Sequence, residues 1–507
     1  MQNNLTSFVF CTVCRFGCGN HYTLTDGGNI HETANLTKKD IEKLAEIPFH
    51  GGTSPREALI QFWTEHYHAS NMKLVVLGRG TLDDLQAVVE NTFGSVRANN
   101  NGLGMDSCRG ANLSFHTSDQ NSPHTSDVVF STENSHYGVS AFHSSKNLGV
   151  ICEIIPVKEK RTIQLLFATP PMQDPLLRKS LPQRLVSHIL GHEAPGSLHN
   201  LLSDLGYINS LSSGTGVDTR DFSLFSLTLG MTPKGMANAE EVLDLCFQWI
   251  DMIRELVVNG NQVNGSILLQ QYHEELKRLS QVSFQFRENG DATSFVSGAA
   301  ETLYSFEEHP ENLLRGDSFD SEYKEDVTRA FLQRLQPENV LIIITDSDLK
   351  GKAPHLKDLG EASWQKEPLY GAVFRNYKIP ESLREKWKNL PSFDSRLRLP
   401  GLNQFIATDF SLRCDHAKSI NETQRETDED AIASPPIKVL ETPLFRLWHK
   451  MDSKFRVPKT TFNVYILTPN VYRSPRTITA GRLFQKVLND DLNSFVYDAV
   501  VAGNSYR

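Results

Sequence analysis

The sequence predicts an α+β protein built from a recurring helix-then-strand unit. Two observations carry this. Phe62 to Gly78 reads as a helix, then Asn71, then a hydrophobic strand, and Phe331 to Thr345 repeats that order through Asn339. Elsewhere, stripes at helical spacing alternate with short apolar runs at strand length.

The elements follow in order. Ser54-Pro55-Arg56-Glu57 is a helix start, with Ser as cap and Pro at the first helical position. Leu59, Phe62, Trp63 and Tyr67 continue it at helical spacing. Asn71 to Gly78 reads as a buried strand and Asp83 to Phe93 as an amphipathic helix. Glu65, His66 and His68 do not share one helix face and read as solvated side chains. Residues 97–149 are rich in Asn, Ser, His and Gly with little periodicity, which predicts a disordered insertion or a long surface loop. Arg161 to Thr169 is a strand closed by Pro170-Pro171. Leu181 to Leu190 is helical, and Pro195 opens another helix that Gly206 stops. Phe222 to Leu229 alternates as a strand. Pro233 to Val258 is a long helix with Val242, Cys246, Trp249, Ile253 and Leu256 along one stripe. A further helix covers about 262–279. Residues 370–410 are punctuated by Pro380, Pro391 and Pro400 and read as an extended strap. Residues 415–432, with their acidic run, read as an exposed loop. Thr460 to Leu467 reads as a strand and Ala480 to Val500 as a helix.

Composition narrows the class. The chain has 507 residues, 39% hydrophobic and 22% charged, which suits about three globular domains. A net charge of -9 and the lack of a basic block argue against nucleic acid. The longest apolar runs, such as Val340 to Ile344, are far short of a membrane span. No basic side chain precedes Phe8-Val9-Phe10, which argues against a signal peptide. Seven scattered cysteines suit a reduced, cytoplasmic protein rather than a disulfide scaffold. Cys11-x-x-Cys14-x-x-x-Cys18-x-x-His21 has metal-site spacing but no second pair, and reads as an irregular leader.

The stretch that concentrates chemistry is His188-Ile-Leu-Gly191-His192-Glu193-Ala-Pro-Gly196-Ser-Leu198. Histidines four apart share a helix face, as in many zinc sites. H-x-x-G-H differs from the inverted zinc-protease motif H-x-x-E-H by the Glu that would activate a metal-bound water. No H-x-x-E-H occurs anywhere in the chain. His273-Glu274 begins H-E-x-x-H, but position 277 is Lys. Three readings stand: a vestigial metal site with Glu274 or Glu275 as a distant third ligand, a packed helix end, or a peptide-binding segment.

Several ordered stretches resemble the insulinase family of inverted-motif zinc metallopeptidases. They are Arg15-Phe-Gly-Cys-Gly-Asn20 with Tyr22-Thr-Leu24, Tyr67-x-x-x-Asn71-Met72 with Leu77-Gly78, and Gly191-His-Glu-x-Pro-Gly-Ser-Leu198. Further on come Arg334-Leu-x-Pro-Glu-Asn339, Ile379-Pro380, Asn403-x-Phe405-Ile406-x-Thr408-x-Phe410, Leu447-Trp448 and Phe455-x-x-Pro458-Lys459. The resemblance implies antiparallel sheets packed by helices, in repeated domains that form a clamshell in full-length members. This chain would hold part of one: the end of the first domain (15–96), the 97–149 insertion, a second domain (150–385), an inter-domain strap (386–411) and the start of the third (412–507). It implies zinc in the complete family member, with none bound by this chain. It implies peptide substrates, with the missing half of the molecule or a homologous subunit as partner. His188, Gly191, Glu193 and Leu211 would form an exosite gripping a peptide's N-terminus. Gly191 admits a close backbone, Glu193 pairs with an α-ammonium, and Leu211 lies on an edge strand extended by β-augmentation. Ser213 stands where the family has Gly. The expected function is therefore a partial metalloendopeptidase, silent alone, or alternatively a non-catalytic peptide-binding or regulatory subunit.

Overall fold

A computed structural model describes residues 9–14, 56, 57, 60, 63, 64, 67–69, 72–98, 147–219, 222–258, 263–288, 290–303, 312–316, 320–349, 353–367, 371–390, 392–414, 435–452 and 454–505. The predicted loops at 97–149 and 415–432 lie almost wholly outside these residues, as do Cys18, His21, Glu65 and His66. His68 is 2% exposed, so it is buried rather than solvated.

The chain divides into two units, residues 1–277 with 288–400, and 278–287 with 401–507. The first holds a two-stranded antiparallel ribbon, β1 (Val9–Cys14) with β2 (Met72–Leu77). Helix α1 (Leu82–Phe93) follows it, started by a capping box in which Thr81 and Asp84 satisfy each other's amides.

The centre of this unit is a seven-stranded sheet. Its strands are β3 (Val150–Ile155), β4 (Arg161–Thr169), β5 (Ile208–Asp218), β6 (Ser223–Met231), β7 (Val340–Asp346), β8 (Gln365–Lys366) and β9 (Val373–Lys378), in the order β5-β6-β4-β7-β3-β9-β8. All neighbours are antiparallel except β3 and β7, which run parallel. The sheet is therefore mixed. Between β3 and β7 the chain lays down β4, β5 and β6 and then crosses back through helices, a connection long enough for parallel pairing.

The helices are α2 (Pro175–Ser180), α3 (Pro182–Leu190), α4 (Leu198–Asp204), α5 (Pro233–Ala237), α6 (Ala239–Val258), α7 (Val263–Gln285), α8 (Ala292–Thr302), α9 (Glu325–Leu332) and α10 (Glu381–Lys388). Helix α6 is the core rod. Val242, Cys246, Trp249 and Ile253 of its predicted stripe are all 0% exposed, and only Leu256 is half-buried. Phe167, Phe225, Ile342 and Phe331 complete the core. Removing such side chains from water contributes about 1.5–3 kcal/mol each.

Local chemistry corrects several expected boundaries. The helix expected over 181–190 is α3, and an unexpected short helix, α2, precedes it, separated by Leu181 at a left-handed φ of 48°. Pro195 does not open α4; Ser197 caps it, its hydroxyl accepting the Asn200 amide at 3.1 Å. The helix expected over 233–258 breaks at Asn238, whose side-chain amide donates to Lys234 O at 2.8 Å. Helix α7 runs past its expected end to Gln285. The strap expected over 370–410 begins later, since β9 joins the sheet and α10 docks. Trp387 of α10 stacks on Phe247 at 4.6 Å and donates to Asp244 Oδ1 at 2.8 Å.

The second unit holds a ribbon of β10 (Ile437–Glu441) and β11 (Arg446–His449), then α11 (Pro475–Val501). Helix α11 starts earlier than expected, at the capping box of Ser474 and Thr477. Residues 460–467 are not a strand. They pair with no strand among the described residues, and Phe462, Tyr465, Ile466 and Leu467 are 75%, 84%, 84% and 94% exposed.

Between the end of β7 and β9, the loop around His355 closes over the sheet. Glu153, on β3, is fully buried and opposes Arg375 on β9 in register. Arg375 Nε donates to Glu153 Oε2 at 2.7 Å, and its guanidinium lies 4.3 Å from the Trp364 ring. His355 Nδ1 lies 3.0 Å from Glu153 Oε1 and its Nε2 lies 2.9 Å from Asp346 Oδ2. Both ring nitrogens face carboxylates, so both must donate, and the ring is an imidazolium. Burial alone would push its pKa down, but the two carboxylates raise it above the ordinary histidine value. A raised folded pKa means this stabilisation is complete below about pH 6.5 and is lost as pH rises through the folded value. The chain should therefore lose unfolding stability as pH rises through the folded value. Urea unfolding at pH 6 and pH 9 measures it; His355→Gln should flatten that slope, and an unchanged slope would refute the assignment.

Candidate peptide-binding site

The expected site lies where α3 ends against β5, the end strand of the sheet among the described residues. Pro182 at the first helical position starts α3, and Leu185, Val186, Ile189 and Leu190 bury one face of it. Trp249 Nε1 on α6 donates to Ile189 O at 3.3 Å and holds the last turn in place. Gly191 ends the helix, its amide donating to Ser187 O at 2.9 Å. The chain then turns through Gly196, whose φ of +92° suits glycine. Arg398 of the following strap donates its amide to Gly196 O at 2.8 Å.

The structure brings Gly191 and β5 together. A Cβ built on Gly191 would sit 3.7 Å from both Ser213 N and Ser213 Cβ, and 3.2 Å from Ser187 O. A side chain at 191 would thus meet Ser213 at ordinary contact distance, with only Ser187 O tighter. Leu211, two residues back on β5, is 6% exposed and pairs with Leu229. Its side chain faces the core, so only its backbone is available to a peptide. Glu193 is half-buried in the turn after α3.

His188 turns the other way, into a ring cluster. Its imidazole meets His192 edge-on at 5.4 Å and Tyr272 of α7 at 6.5 Å. Tyr272 in turn donates its hydroxyl to Pro400 O. His192 is 3% exposed, and its Nδ1 accepts the Ala194 amide at 3.2 Å. Burial lowers both histidines, His188 to about 4, with Arg184 adding to it, and His192 to about 3, with His188 adding to it. Both rings are neutral at physiological pH.

These residues do not fit a zinc ion. A zinc site needs at least three protein ligands. No group of three or more His, Cys, Asp or Glu among the described residues is arranged to hold a metal. Nδ1 of His192 is engaged by the turn, and Glu274 is exposed on α7 while His188 packs on Tyr272. Among the described residues, no helix is long and apolar enough to cross a membrane.

Sequence reasoning missed two constellations. One is the Glu153–His355–Asp346–Arg375 network, whose signal is a single charged residue inside the apolar strand Val150 to Ile155. The other is the Ser187–Ser213 contact, in which Ser187 Oγ donates to Ser213 O at 2.7 Å. Nothing in the spacing of two serines announces it.

Residues 55–263 match the family described as "Peptidase M16 inactive domain", and residues 284–507 match "Middle or third domain of peptidase_M16". The chain belongs to this M16 peptidase family, the insulinase family. It is 27% identical over 492 residues to insulin-degrading enzyme of Homo sapiens, covering 97% of this chain and 40% of that one. It is 25% identical over 497 residues to a nardilysin-like protein of Arabidopsis thaliana, covering 96% and 41%. The crystal structure of pitrilysin superposes with a TM-score of 0.58 at 18% identity, over 89% of this chain and 41% of that one. The chain thus spans about two fifths of the length of the curated relatives it matches.

The histidine cluster sets an acid limit. Depressed folded pKa values mean the neutral rings stabilise the fold above about pH 6.5, and that this is lost as pH falls toward the folded values. For His188 alone the loss is on the order of 3 kcal/mol when complete. His188→Gln, which cannot take a proton, should shift the acid-unfolding midpoint to lower pH in a circular-dichroism titration. A midpoint unmoved or raised would show that His188 does not set it.

Proposed function

We propose that this chain is part of an insulinase-type peptidase whose complete molecule hydrolyses peptides with zinc-bound water, and that these residues supply peptide-gripping surface rather than the hydrolytic centre. The observation that carries this is the match of two successive M16 domain descriptions to a chain with no H-x-x-E-H. The division follows the sequence reading: the end of a first domain at 15–96, an insertion at 97–149, a second domain at 150–385, a strap at 386–411 and the start of a third domain at 412–507. The cysteine content supports a cytoplasmic setting.

Gripping is assigned to Gly191, Glu193 and the backbone of Leu211, with His188 as a neutral polar neighbour. The position of β5 at the sheet's end supports this, because an edge strand offers unpaired backbone groups to an extended peptide. Glu193 would receive the peptide's α-ammonium. Glu193→Gln should weaken binding of a free-N-terminus peptide about tenfold, as an ion pair becomes a neutral hydrogen bond. The same variant should leave an N-acetylated peptide unaffected. Fluorescence anisotropy reads both, and equal loss for the two peptides would remove the gripping assignment.

A second reading, a non-catalytic subunit that pairs with an active homologue, is favoured by the second unit. Leu444, Tyr465, Leu467, Tyr472 and Phe495 are 79–99% exposed there, and α11 buries no residue. Apolar surface of that extent marks an interaction site. The two readings share one expectation: the purified chain alone cleaves no peptide. Stoichiometric zinc with chelator-sensitive cleavage would overturn both. Sedimentation of the chain with a purified active homologue separates them, since a stable complex supports the subunit reading alone.

A further inference from the structure

The end of α3 does more than lie beside β5. Gly214 O accepts from Ser226 Oγ of the neighbouring strand β6 at 3.0 Å, so that carbonyl points into the sheet. Successive residues of a strand present their backbone groups to opposite sides. Ser213, one residue earlier and before the bulge at Thr215–Val217, therefore directs its N–H and C=O to the open edge. The carbonyl is engaged from within the chain: Ser187 Oγ donates to Ser213 O at 2.7 Å, while Gly191 lies beside Ser213 N. Ser213 Oγ is itself buried without a hydrogen-bond partner. The hydroxyl of Ser187 thus occupies the acceptor that an added strand needs at the middle of β5.

We infer that Ser187 is an internal latch on the peptide-gripping edge: its hydroxyl competes with the amide of an incoming extended peptide for the Ser213 carbonyl. This rests on the gripping assignment above and concerns its regulation. With the latch closed, a peptide pairs with β5 only on either side of residue 213. With it open, pairing runs through, and the ladder gains one bond at its centre. Opening needs only a side-chain rotation at Ser187, because the helix turn is held independently by Trp249 on Ile189. The latch makes the edge selective for chains that offer a backbone N–H at that register, so a peptide with N-methylation or proline there gains nothing when it opens. It also protects an exposed edge from pairing with other strands, a role natural sheets assign to local irregularities and side chains.

The test uses the full chain and an extended peptide of about ten residues with a free N-terminus, labelled at its C-terminus. Ser187→Ala removes the competing donor and keeps helix propensity. It should bind about fivefold tighter than wild type, roughly 1 kcal/mol at 1.4 kcal/mol per tenfold. Ser187→Thr restores a hydroxyl and should return affinity toward wild type, which a purely structural effect of the alanine would not do. A peptide N-methylated at successive positions should lose the alanine variant's advantage at one position only. Wild-type binding with equal or weaker binding by the folded alanine variant overturns the latch and leaves gripping intact. No measurable binding by either protein overturns the latch and the gripping assignment together.

Discussion

A carboxylate buried in the middle of an apolar strand must be paired, and the first unit is arranged around that requirement. Glu153 has no exposed surface. Leaving a charge there without a partner would cost several kcal/mol. Its two oxygens are divided between Arg375 on β9 and His355 on the loop that closes the sheet end. That division fixes the register of β9 against β3, since Arg375 stands directly opposite Glu153. It also ties the loop to the last residue of β7 through Asp346. Three strands far apart in sequence are aligned by one group. Hydrophobic burial alone would tolerate a slip of two residues along these apolar strands; the charge pairing does not.

Much of this was legible beforehand because the physics that decides it is local. The α6 stripe, the strand at 161–169 and the helix-then-strand unit ending in β7 all follow from periodicity. What escaped was decided by single residues or by distant partners. Leu181 separates α2 from α3 by adopting a conformation that side chains rarely take; the signal available was Pro182, which biases the residue before it away from the helical region. Asn238 breaks an expected helix by bonding back to the helix it ends. Pro-punctuated 370–388 looked extended because proline disrupts helices, yet Pro380 sits at the start of α10, where proline is tolerated. The strand expected at 460–467 has the right residues and no pairing partner among the described residues.

The proposed site shows the same division. The spacing H-x-x-G-H placed two imidazoles on one helix end, as expected. Spacing alone could not say whether they meet a metal, a peptide or each other. In the structure Tyr272 and the buried turn desolvate both rings, which keeps them neutral. Leu211 lies on β5, and the end of α3 beside that strand contributes a serine that spacing could not reveal.

The parallel pairing of β3 with β7 has a consequence for how the chain comes to be folded. Val150 pairs with Leu341, about 190 residues later. Its other neighbour, β9, follows later still. At a synthesis rate of about 5–20 residues per second, β3 waits roughly 10–40 s before its first partner has been made. Strands β4, β5 and β6 can form their antiparallel ladder meanwhile, as one nascent sheet with an open side at β4. The buried acid on β3 is then an advantage rather than a burden. A charged residue in an otherwise apolar segment keeps it hydrated and discourages premature pairing until Arg375 and His355 have emerged.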